Sequence, residues 1–129
     1  MTPSFEIPRE RWPEFLKMVN QHVLDNPVTV ELAHQELLDQ EVGTLLPLRN
    51  IDFETKGSER GHVILTVGTD REELTHEIKT PTRLFVGTRE MSAIEWLAIE
   101  DAEGGKTMIH FEHLLALPHE SSEEGTLGV

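Results

Sequence analysis

The chain is 129 residues long and carries 24 acidic against 11 basic side chains, a formal net charge of −13. That excess argues against nucleic acid and anionic membrane surfaces as partners, because both are held mainly by Lys and Arg. There is no cysteine, which excludes disulfides, thiol catalysis and cysteine-ligated zinc and suits a cytoplasmic protein. The length is that of one compact domain, read as 1–118 and ordered from about residue 7, followed by a disordered acidic tail at 119–129. No basic-then-apolar leader opens the sequence, and no apolar run approaches the ~20 residues that cross a bilayer.

Met1 to Glu6 reads as a loose lead-in. Pro8 and Pro13 suit first helical turns, where a missing N–H costs nothing. They predict a short turn at Arg9–Trp12 and a helix from about Trp12 to Leu24. Trp12, Phe15, Leu16, Val19 and Val23 form the apolar stripe of an amphipathic helix, more often a core face than a docking face. Asp25-Asn26-Pro27 ends it, because the residue before proline avoids the helical region.

Val28 to His34 alternates as a strand. Gln35 to Val42 is polar and extends that strand or turns, and Gly43 opens a second strand region in which Pro47 marks an edge or a bulge. Lys56 to Gly61 is a turn cluster. His62 to Val67 is a strand with Val63, Leu65 and Val67 on one side. Leu74, His76 and Ile78 alternate in the next, Pro81 interrupts it, and Leu84 to Val86 makes a short further one. Gly87 to Ser92 reads as a loop.

The last two strands, Ala93 to Asp101 and Lys106 to His113, form a hairpin through Ala102-Glu103-Gly104-Gly105, with Gly105 expected at the positive-φ position. Leu97 and Ile99 share one face with Ile109 and Phe111. The other face is not polar either: it carries Ile94, Trp96 and Ala98 on one arm and Met108 with His110 on the other. A hairpin apolar on both sides needs two covers. A helix of the same chain, a second subunit and a ligand all qualify for the second.

Four runs resemble a family of small bacterial proteins catalogued as a domain of unknown function: IPRERWPEFL, LPLRNIDFE, HEIKTPTRLFV and LAIEDAEGGKTMIHFE. The resemblance spans Ile7 to about Glu112. This chain departs in its hairpin turn, with Glu103 in place of an aspartate and one extra glycine, which leaves the turn type open. The resemblance implies a compact bacterial domain and brings no catalytic residue.

The chemistry-bearing constellations are sparse. His110 and Glu112 share a strand face, and His76 or His62 on another strand would supply a third metal ligand, but three ligands at that spacing are a weak signal and no cofactor is expected. His34, His62 and His76 read as hydrogen-bonded histidines at the rim of the apolar face. The acidic pairs lie in turns and tail, where water keeps their carboxylates alike. There is no Gly-x-Ser-x-Gly elbow, no HExxH helix and no phosphate-cradling loop.

The fold expected is α+β: the N-terminal helix packed on a curled antiparallel meander of six or seven strands, as a small SH3-like or Sm-like barrel or an open sheet with one helix across it. The function expected is a non-enzymatic interaction module that forms a homodimer or holds a protein partner through Ile94, Trp96 and Met108. A small-ligand-binding domain and a metal-dependent enzyme are the rivals.

Overall fold

The structure, a computed structural model, describes residues 4–23, 26–34, 37–89 and 93–116. It holds one short N-terminal helix and one eight-stranded antiparallel sheet. The strands are β1 (Ser4–Ile7), β2 (Pro27–His34), β3 (Leu37–Phe53), β4 (Val63–Gly68), β5 (Glu73–Ile78), β6 (Pro81–Arg89), β7 (Ala93–Asp101) and β8 (Gly105–Ala116), and the helix is α1 (Trp12–Val23). A 3-10 turn at Arg9–Arg11 leads into α1. No helix among the described residues is long and apolar enough to cross a membrane. The tail expected at 119–129 lies outside the described residues.

The sheet order is β1-β6-β7-β8-β2-β3-β4-β5. Two meanders, β2 to β5 and β6 to β8, lie side by side through the β8–β2 pair. Connectivity then dictates shape. β5 stands eighth and β6 second, so six strand spacings of ~4.8 Å, about 29 Å, would separate them in a flat sheet. Yet Ile78 ends β5 and Pro81 opens β6, and three backbone steps reach at most about 11 Å. The sheet must curl until its ends approach. It does not close: among the described residues β5 pairs with β4 and β1 with β6, and no ladder joins the two ends. The barrel alternative is thereby corrected to an open, curled sheet with eight strands rather than six or seven.

The concave side is the core. Val28, Val30, Leu48, Ile51, Val63, Leu65, Val67, Ile78, Leu84, Val86, Leu97, Ile99, Ile109 and Phe111 meet there, with Trp12, Leu16 and Val19 brought by α1. The helix stripe is therefore spent on the core. Trp12 packs edge-on against Phe53 at 5.5 Å and donates its indole N–H to the Ile7 carbonyl at 2.9 Å. The Arg9 guanidinium lies over both rings and reaches the Pro81 carbonyl at 2.9 Å.

Three local readings change. Ser4 to Glu6, expected to be loose, continues with Ile7 as a strand that pairs with Leu84–Gly87, because Ile7 joins the core. β6 does not stop at Val86: its alternation continues through Gly87 and Thr88 to Arg89, placing Thr88 inward. In the hairpin turn the positive φ belongs to Gly104 (87°), not Gly105. The Asp101 carboxylate decides this by accepting the N–H groups of Glu103 and Gly105, each at 2.9 Å, and a Cβ on Gly105 would meet Asp101 Oδ2 at 2.6 Å.

His76 ties the curl together. It faces inward from β5, and its Nε2 is 3.3 Å from Thr107 Oγ1 on β8, a strand four ladders away. Burial lowers its pKa from the ordinary 6.5, and the Asp101 carboxylate offsets part of that. The unfolded chain thus takes up the proton more readily than the folded one, so His76 costs stability as pH falls below about 6.5 and costs none above it. The urea midpoint of the native sequence should drop further between about pH 7.5 and pH 5.5 than that of His76→Asn. Equal drops would assign the pH dependence to other groups.

Candidate protein-interaction face

The alternation that sends Leu84, Leu97, Ile109 and Val30 into the core sends a second set of side chains out through the convex side of β6, β7, β8 and β2. They stand in two cross-strand rows. One runs Phe85, Ala98, Met108, Glu31; the other runs Gly87, Trp96, His110, Thr29. Such rows are the contact unit of a sheet surface. Ala98 faces away from the core yet is only 3% exposed, between Phe85 and Met108. Phe85, Trp96 and Met108 are half-buried.

Gly87 shapes the site. A Cβ there would overlap the Trp96 indole, at Cε2, Nε1 and Cζ2. The ring therefore lies flat on the β6 backbone, filling the place a side chain would occupy and turning its other face away from the sheet. Glu95 is an extra residue between the Gly87↔Trp96 and Thr88↔Ile94 pairs, a β-bulge. The bulge shifts the alternation by one. Ile94, grouped by strict alternation with Trp96, points into the core and is 0% exposed, so of the three interface residues named from the sequence only Trp96 and Met108 reach the convex face.

Charged residues frame the rows. Arg83 bonds Glu6 at 3.1 Å, reaches Glu100 at 4.0 Å and lies over the Phe85 ring at 4.8 Å. Arg89 pairs with Glu95 at 2.6 Å, Lys106 stands opposite Glu100, and His110 Nε2 is 3.2 Å from Glu31 Oε1. At the end of the Trp96 row, Leu45 donates its N–H to Thr29 Oγ1 at 3.3 Å. It is 53% exposed and has φ +53°, a conformation that costs a leucine roughly 1 kcal/mol. The convex side of β3 to β5 is different in kind: Asn50, Asp52, Thr66, Thr75 and Glu77 dominate it, with Ile64 among them and His62 Nδ1 2.5 Å from Glu77 Oε2.

The metal candidates fall apart in space. His76 meets the inward side of β8 at Thr107, whereas His110 projects from its outward side, and Glu112 is exposed further along the strand. Among the described residues no three His, Asp or Glu side chains gather where they could hold an ion. The side chains of His34 and His113 lie outside the described part. Phe85, Gly87 and Glu31 are the members of the face that sequence reasoning missed. The alternation Leu84, Val86, Thr88 against Phe85, Gly87, Arg89 was the signal for the first two.

Helix, curled sheet and doubly apolar strands define a small α+β domain with one face spent on its core and a second turned outward. The chain belongs to DUF5335, a family of unknown function whose model matches residues 4–120. No curated protein and no solved structure matches it.

Proposed function

We propose that this chain is a non-enzymatic interaction module whose convex face over β6, β7, β8 and β2 binds protein, with Trp96 and Met108 at its centre. The observation that carries the reading is the flat Trp96 ring on Gly87, flanked by Phe85, Ala98 and Met108 on strands whose other face is already core. Aromatic and Met side chains framed by charge are the composition of binding surfaces rather than of solvated ones. The exposed Leu45, held at positive φ, adds an apolar side chain at the Thr29 end of the Trp96 row.

Photo-crosslinking in the cells that make the protein tests this. A benzophenone amino acid at Met108 should give a discrete adduct, to a second copy or to another protein, and Trp96→Asp should abolish it. The same probe at Thr75, on the polar side of β5, should give none. No adduct at Met108, or identical adducts at both positions, would end the reading.

A further inference from the structure

We propose that the occupant of this face is a basic segment of another protein, with one of its arginine side chains stacked on the outward face of Trp96. The inference rests on the reading of that face as an interaction surface and adds the chemistry of the partner.

Charge argues for it first. The chain carries −13 overall. On the convex face Glu6, Glu31, Glu95, Glu100 and Glu112 outnumber Arg83, Arg89 and Lys106, and both arginines already sit on carboxylates. A second copy would bring the same net charge and the same acidic frame to the contact, so like charge opposes self-association, whereas a basic segment is drawn in from a distance.

The aromatic geometry argues for it independently. The chain covers three of its six other aromatic rings with its own guanidinium groups: Arg9 lies over Trp12 and Phe53, and Arg83 over Phe85. Among the described residues no cation lies over Trp96. One face of its ring is backed by the Gly87 backbone, so the other points away from the sheet. Indole is the strongest cation–π partner among side chains, and a planar guanidinium stacks on it while its N–H groups reach carboxylates at the edge. Glu31 is held beside His110 in the neighbouring row position, and Glu112 follows on the same face of β8. Met108 is an adaptable apolar seat for the aliphatic stem.

The test is a titration of the whole chain with three capped octapeptides that alternate leucine with arginine, lysine or glutamate. The two indole N–H signals are followed by NMR. Trp12, whose N–H is tied to the Ile7 carbonyl, serves as the internal reference. The arginine peptide should shift the Trp96 signal and leave that of Trp12 in place. It should bind several-fold tighter than the lysine peptide, while the glutamate peptide should not bind. Trp96→Leu should weaken the arginine peptide about tenfold. Should that variant fail to fold, Glu31→Gln with Glu112→Gln should weaken it instead, and added salt should do the same. Unchanged affinity in these variants would mean diffuse charge attraction and would overturn the stacking. An absence of peptide binding, combined with a dimer that Trp96→Asp dissolves, would overturn the basic partner and leave the interaction face standing. A silent face in this titration and in the crosslinking experiment would remove both.

Discussion

Asn20→Ala lowers the unfolding free energy by about 3 kcal/mol, a large share of the stability of a domain this size. The expectation comes from the strand edge that β2 abandons. β2 begins at Pro27, opposite Pro47, while β3 runs on to Phe53. Beyond Pro47 the β2 side of β3 has lost its strand partner. Leu48 finds the Asn26 carbonyl at 2.9 Å, and α1 supplies the rest: Asn20 Nδ2 donates to the Ile51 carbonyl and Asn20 Oδ1 accepts the Ile51 N–H, each at 2.9 Å. One amide side chain thus stands in for a neighbouring strand and pins the helix to the sheet. Ile51 is 0% exposed, so truncation leaves two main-chain groups with little access to water, at roughly 1–3 kcal/mol each. Urea unfolding measures it directly. A loss under about 1 kcal/mol would mean water or a neighbour completes the edge.

Asn20→Asp sharpens the point. The new carboxylate still accepts the Ile51 N–H but faces the Ile51 carbonyl and the Asp52 side chain, which the native amide meets at 3.3 Å. It is stable there only when protonated, so its folded pKa is raised. The deficit should be full at neutral pH and shrink as pH falls through that raised value.

Gly87→Ala is the second large effect, and its sign depends on Trp96. In the native sequence the added methyl overlaps the indole, so the ring must leave its place, at about 1–3 kcal/mol. Near-UV circular dichroism and the Trp96 indole N–H signal should change while the Trp12 signal stays. In a Trp96→Ala background the same methyl enters empty space, and alanine suits a strand better than glycine, so the change should be neutral or stabilising. The double-mutant cycle should return a coupling of about 1–3 kcal/mol. A coupling near zero would show that the ring does not rest on Gly87.

The helix and the hairpin were legible because each is a local pattern. Trp12, Leu16 and Val19 are buried as their spacing predicts, and Leu97, Ile99, Ile109 and Phe111 share the core face as alternation requires. The apolar character of the opposite face was legible for the same reason, and Trp96, Ala98 and Met108 stand on it. Ile94 was misplaced because a bulge at Glu95 moves the phase by one residue and leaves no mark in composition. β1 was missed because four residues are too few for a period to show; it exists only because β6 offers an edge and the core takes Ile7.

What the amino-acid order determined by itself is therefore the set of amphipathic pieces: which residues alternate, where proline and glycine break the alternation, and that two strands are apolar on both sides. What only the tertiary structure decided is how those pieces meet. The two-residue link between Ile78 and Pro81 compels the sheet to curl only once the strand order is known. Asn20 finds Ile51 across 31 residues, His76 finds Thr107 across another 31, and Trp96 finds Gly87 through pairing of β6 with β7. Periodicity is read over a few neighbouring residues, whereas hydrogen-bond partners and close ring contacts depend on register between distant strands, which the chain acquires only by folding.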